Sequence, residues 1–245
     1  MSFDVVVFAV AVLAGAIASI SGFAIGSLLT PVLAIKLGTK LAVAAVSIPH
    51  LAGTAIRYWK VRADVDRQVL LSFGVTSAIG GLAGALLNGR ISSSVLTIVF
   101  GLLLIFAGTS GLTGLARRMR FRGPVAWIAG ALSGFFGGLV GNQGGIRSAA
   151  LLGFDLSRDA FVATATAIGL FVDGARVPVY LFVEGRELMT IVTIIVVATA
   201  GVIAGTLSGT RLLRRIPQRA FDLLVSALIT ALGIYMLGKG ARWWA

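Results

Sequence analysis

Eight apolar stretches, most of them about 20 residues or longer, divide the 245-residue chain, and nothing else constrains its fold as strongly. They run approximately 3–37, 41–59, 68–88, 94–115, 124–154, 160–183, 188–210 and 218–238. A helix of about 20 apolar residues spans a hydrocarbon layer about 30 Å thick. In lipid the backbone must satisfy its own polar groups, which a helix does within one segment. Hydrophobic residues make up 58% of the chain and charged ones only 12%, against roughly 45–50% and about 25% in soluble domains. The expected fold is therefore an all-α polytopic membrane protein, with no separate soluble domain.

Two stretches have the wrong length. Residues 3–37 and 124–154 are too long for one ordinary span and too short for two. Each is interrupted by small and polar residues, Ser19-Ile20-Ser21-Gly22 in the first and Gly141-Asn142-Gln143-Gly144-Gly145 in the second. The interruptions recur at a fixed interval. An offset of 119 lays Leu13-Ala14-Gly15 on Leu132-Ser133-Gly134, Gly22 on Gly141, Gly26 on Gly145, Leu33 on Leu152 and Arg57 on Arg176. An offset of 121 lays Gly80 and Gly84 on Gly201 and Gly205, and Phe100 on Phe221. The chain reads as two similar halves, 1–118 and 119–245, within one integral membrane domain.

Charge placement bears on topology. The net charge of +12 reads as loop lysine and arginine on the cytoplasmic side, not as a nucleic-acid surface. If all eight stretches cross, loop cations divide 11 to 8 and orient nothing. If the long stretches are re-entrant hairpins, 13 fall on one side: Arg57, Lys60, Arg62, Arg67, Arg158, the arginines of 117–122 and those of 211–219. The other side keeps six: Lys36, Lys40, Arg90, Arg186, Lys239 and Arg242. The second arrangement satisfies the positive-inside rule. It gives each half a broken hairpin plus three spans, hence inverted repeats of the kind secondary transporters use. Trp127, Trp243 and Trp244 read as interfacial anchors. Met1-Ser2-Phe3-Asp4 lacks the basic n-region of a cleaved signal peptide.

Polar residues inside these stretches are the candidates for function. At the second interruption, Gly141, Gly144 and Gly145 permit a sharp turn and close backbone approach, while Asn142 and Gln143 offer amide donors. A helix beginning there exposes unpaired N–H groups that suit an anion. A glycine packing seam is the alternative, but amides in hydrocarbon are costly without partners. Ser21 and Gly22 form the weaker counterpart in the first half. Arg147, Asp173 and Arg176 are intramembrane charges, which cost roughly 2.5–3.5 kcal/mol each at a helix centre. Asp173 either neutralises an arginine structurally or leaves one of the two free to receive an oxyanion. Arg57 is the repeat mate of Arg176, but Tyr58-Trp59-Lys60 after it suggest an interfacial belt. His50, the only histidine, reads as a proton relay or as a core histidine bonded to a backbone carbonyl. Pro49 and Pro178 read as helix kinks. The chain has no cysteine, which excludes disulfides and thiolate metal sites. A Ser21–His50 hydrolase dyad lacks any G-x-S-x-G context.

Over nearly its whole length the sequence resembles the TauE/SafE family of membrane permeases, associated with sulfite and small organosulfonates. The duplicated layout carries the resemblance, together with the Gly-rich motif Gly141-Asn142-Gln143-Gly144-Gly145 running into Ile146-Arg147-Ser148. The first half keeps only its outer glycines, Gly22 and Gly26. The resemblance implies a small anion, a sulfur oxyanion or sulfonate, as substrate. Together with the repeat layout, the expected function is that of a non-enzymatic secondary transporter of the inner membrane, without cofactor or metal, that exports sulfite or an organosulfonate by alternating access. Its substrate would meet the hairpin tips, with Arg147 or Arg176 as counter-charge. The expected partners are that anion and the lipid bilayer, and homodimer formation is left open. A structural subunit of a membrane complex and an anion channel are the alternatives.

Overall fold

The computed structural model describes residues 2–115, 123–142, 144–213 and 217–241. Gln143, the arginines of 117–122, Arg214, Arg215, Arg242, Trp243 and Trp244 lie outside them. The described residues form helices and no strands. The helices are α1 (Phe3–Ser21), α2 (Ile25–Val61), α3 (Arg67–Asn88, with a π turn at Leu70–Gly74), α4 (Ser93–Thr113) and α5 (Pro124–Val140). They continue with α6 (Gly144–Leu151), α7 (Arg158–Val183), α8 (Gly185–Thr190), α9 (Val192–Leu213) and α10 (Gln218–Ala241). Among the described residues seven helices are long and apolar enough to cross a membrane, and the molecule is a multi-pass membrane protein.

Both overlong stretches break where the sequence interrupts. α1 ends at Gly22 in the left-handed region (φ 80°) and α5 at Gly141 (φ 76°), conformations glycine adopts without penalty. α2 is itself two pieces, because Gly38 (φ 72°, ψ 159°) is non-helical within it. The piece before Gly38 completes the first long stretch, and the piece after it is the stretch read as 41–59.

Each long stretch returns to the end of the bundle from which it starts. The Lys36 ammonium lies 4.2 Å over the Phe3 ring, so both ends of the first hairpin are adjacent. In the second, Ala129 near its start and Ala150 and Leu151 near its finish share one apolar cluster with Phe73, whose ring also meets Phe154 edge-on. Lys36, Lys40, Arg90, Arg186 and Lys239 gather at one end: Lys40 Nζ donates to Gly89 O (2.7 Å), Lys239 Nζ to Ala34 O (2.7 Å), and Val183 packs on Gly89. Arg62, Arg67 and Arg158 gather at the other, where Asp66 N donates to Thr164 Oγ1 (2.9 Å). Because the chain has no cysteine, single cysteines test this directly. Ser2→Cys, Lys36→Cys and Arg90→Cys should react with an impermeant maleimide from one face, and Arg62→Cys and Arg158→Cys from the other. Labelling of positions 2 and 36 from opposite faces would mean that the first stretch crosses.

Glycine seams lock these elements together. Along α1, Phe8, Val12 and Ala16 meet Gly201, Gly205 and Gly209 of α9. Along α5, Ala131 and Phe135 meet Gly80 and Gly84 of α3, while Gly134 and Gly138 meet Ser77 and Gly81. At each of these glycines except Gly81, whose Cβ would meet Val172 of α7, an added Cβ would strike the facing helix, the close approach that holds helices together in lipid, where no hydrophobic force acts between them. Both seams join a hairpin from one half of the sequence to a span from the other.

Candidate functional site

Polar residues on two long helices meet at the hairpin breaks. His50, Thr54 and Arg57 on α2 are spaced i, i+4, i+7, and Thr166, Asp173, Arg176 and Tyr180 on α7 fall at i, i+7, i+10, i+14. Helical periodicity puts each set on one face, and all seven are buried. The stripes pair antiparallel. His50 Nδ1 lies 2.6 Å from Asp173 Oδ2, and Arg57 Nε donates to Thr166 Oγ1 (2.9 Å).

Helix ends explain much of the cationic charge. The last carbonyls of α1 and α5 lie at the end of the helical ladder, where Ala18 O and Gly137 O accept only the capping N–H groups of Gly22 and Gly141 (both 3.0 Å) and keep a lone pair for a further donor, and cations favour that end of the dipole. Arg57 Nη1 donates to Ala18 O (2.9 Å) and Nη2 to Gly22 O (3.2 Å). Arg176 Nη1 donates to Gly137 O (2.6 Å), the Tyr180 hydroxyl to Gly138 O, and Asn88 Nδ2 to Leu139 O (2.7 Å). Arg57 and Arg176 differ in number by 119, and so do the carbonyls at Ala18 and Gly137 that their Nη1 atoms bind.

Arg57 is buried (4% exposed) and not in an interfacial belt; Trp59 and Lys60, two and three residues on, are exposed, and Arg62 stacks on Trp59 at 3.7 Å. His50 bonds a carboxylate, not a backbone carbonyl. Asp173 is the structural partner of Arg176, with Nε at 3.0 Å and Nη2 at 2.9 Å from Oδ1, so Arg176 has little left to offer a ligand. The Ser21 hydroxyl is committed to Ile17 O (3.0 Å) and Phe23 O (2.7 Å), and forms no dyad with His50.

Arg147 is different. It is 2% exposed, and Nη2 makes one long contact with Gly22 O (3.4 Å). Its Nε and Nη1 have no hydrogen-bond partner among the described residues, nor have Asn142 Nδ2 and Thr30 Oγ1. Buried donors of this kind are costly to leave unpaired. These groups surround the point where the hairpins cross. Gly26 lies against the Gly141 carbonyl, Gly144 against the Phe23 ring, and the Cβ position of Gly141 is 3.7 Å from both Thr30 Oγ1 and Arg176 Nη1. Ser27 Oγ donates to Asn142 Oδ1 at 3.5 Å, leaving the amide NH2 free. Both return arms, the first piece of α2 and α6, therefore begin at this crossing. Thr30 was not among the sequence candidates; it lies one turn after Gly26, which could have singled it out. Three guanidinium groups and one carboxylate make the centre strongly cationic. Such an arrangement can receive a small oxyanion.

A family model described as "Sulfite exporter TauE/SafE" matches residues 7–236. Neither the curated proteins nor the solved structures yield a match.

Proposed function

The chain belongs to the Sulfite exporter TauE/SafE family, and from that premise we propose that it is a permease carrying sulfite or a small organosulfonate out across the cell membrane by alternating access. The anion would sit where the two hairpins cross. The free donors Arg147 Nε and Nη1, Asn142 Nδ2 and Thr30 Oγ1 would bind it with the first amides of α6 and of the return arm of α2. Those buried unpaired donors carry the reading: a packing seam has no use for them, whereas an oxyanion satisfies them all. A cavity of about 390 Å3 lined by Lys36, Gly38, Thr39, Ser93, Thr97 and Lys239 provides a cationic vestibule at one end of the bundle.

The halves 1–118 and 119–245 are taken as inverted repeats. Support comes from the matched Arg57–Ala18 and Arg176–Gly137 bonds and from the opposite ends at which the two hairpins begin. Rocking one half against the other would tear both glycine seams. The moving bodies are better drawn as α1 with α9 against α3 with α5, each combining the two halves, with the hairpin crossing as pivot.

Arg147→Gln tests the reading. Removing charge-assisted hydrogen bonds of about 1.5–3 kcal/mol should weaken sulfite affinity about 10- to 150-fold. The empty protein should melt higher, because an uncompensated buried cation is gone. A packing role for Arg147 predicts the reverse: a lower melting temperature and unchanged transport in proteoliposomes.

A further inference from the structure

His50 is the only histidine in the chain, and it stands at the far end of a bonded relay from the hairpin crossing. Arg176 holds Gly137 O at the second hairpin and, through its other nitrogens, one oxygen of Asp173. The second oxygen of Asp173 holds His50 Nδ1 at 2.6 Å, with Thr54 Oγ1 at 3.4 Å from the same nitrogen. The groups facing the ring are few. α7 supplies Asp173, Arg176 and, one turn on, Tyr180, which is bound to Gly138 O. α2 itself supplies Arg57, and α6 supplies Arg147, whose guanidinium reaches the Gly169 and Thr54 contact.

The charge balance of this cluster is what matters. With the ring neutral, three guanidinium groups face one carboxylate, an excess of two positive charges among buried side chains, of which the His50 ring is the most exposed. Nδ1–H is engaged by Asp173, so Nε2 is the acceptor left for a further proton. A third excess charge is unfavourable while the crossing is empty. An anion bound at Arg147 and Asn142 supplies the compensating charge within the same cluster. Linkage is reciprocal: if the anion tightens proton binding, the proton tightens anion binding by the same factor.

We propose that His50 is the proton-carrying residue of this permease, taking a proton on Nε2 when an anion occupies the hairpin crossing, so that anion and proton cross together. The step is a simple transfer. An O–H bond of hydronium at the open end breaks, an N–H bond forms on Nε2, and the reverse occurs at the other face as the anion leaves. The inference rests on the anion-permease reading and adds the co-transported ion to it.

The uniqueness of His50 makes the test direct. Protein carrying 15N-labelled histidine gives one set of ring signals, and its protonation is followed by NMR across pH 5–9. The titration is run with and without whichever of sulfite, methanesulfonate and sulfoacetate raises the melting temperature of the same sample. The expected result is an upward displacement of the ring's half-protonation by about one pH unit with anion bound, about tenfold tighter proton binding. An anion that raises the melting temperature but leaves the ring titration in place would overturn the proton-carrier assignment and leave the permease reading standing. If none of the three raises the melting temperature, both fall.

Discussion

Asp173→Ala should be the most damaging single substitution in the chain, with little folded protein recovered from the membrane. Asp173 is fully buried, and its two oxygens hold two nitrogens of Arg176 and one of His50. It is the only carboxylate in a cluster that also contains Arg57, Arg147 and Arg176. Breaking a buried pair by removing one partner costs about 3–5 kcal/mol, a large part of the roughly 5–15 kcal/mol that separates folded from unfolded domains. The charge, not the shape, is the decisive property, so Asp173→Asn should be nearly as harmful. Arg176→Gln should do less, since Asp173 keeps His50. Combining Asp173→Asn with Arg176→Gln leaves a neutral hydrogen-bonded pair and should recover part of the loss of Asp173→Asn. Melting temperature and yield in detergent read all four proteins. An Asp173→Ala protein that melts within a degree or two of the parent would show that the cluster is hydrated and that its charges do not depend on one another.

The parts of this architecture that were legible in the sequence are those that physics writes locally. Apolar run length gives the spans, and the excess length of 3–37 and 124–154 gives the hairpins, because a stretch that neither fits once nor fits twice must turn. Gly22 and Gly141 mark the turns, since each takes a positive φ there. Gly38, between stretches 3–37 and 41–59, similarly marks a break inside what is otherwise one helix. What was not legible depends on partners far away in the chain. His50 and Asp173 are 123 residues apart, and nothing near either names the other. The neighbours of Arg57, Tyr58, Trp59 and Lys60, look interfacial and hide its burial. The i, i+4, i+7 series His50, Thr54, Arg57 held the better signal: a polar stripe on one face of an apolar helix must face other polar groups. Which arginine remains free could not be read from composition. Two arginines and one aspartate in the second half imply a surplus cation, but only the fold shows that Asp173 holds Arg176 and leaves Arg147.

Transport, rather than stability, should be the casualty of Gly26→Ala. A Cβ at position 26 would strike the carbonyl oxygen of Gly141, and backbone atoms cannot swing aside as a flexible side chain does. The hairpins must separate by a fraction of an ångström to more than one at the point where their free donors converge. Overpacking typically costs about 1–3 kcal/mol, which the glycine seams outside the crossing can withstand. Donor geometry is less forgiving, because a displacement of about 1 Å can cost about a hundredfold in function. Gly26→Ala should therefore remain folded in the membrane while its sulfite flux falls about a hundredfold and sulfite no longer raises its melting temperature. Two other glycines serve as controls for the substitution itself. Gly174 on α7 has nothing within 4 Å of its Cβ position, and Gly174→Ala should gain about 0.5–1 kcal/mol from helix propensity with flux intact. Gly22 also has open space around it but sits at φ 80°, so Gly22→Ala should pay only local backbone strain, about 1 kcal/mol. Full sulfite flux through Gly26→Ala would mean that the anion does not pass between the two hairpin breaks, and its path would have to lie elsewhere in the bundle.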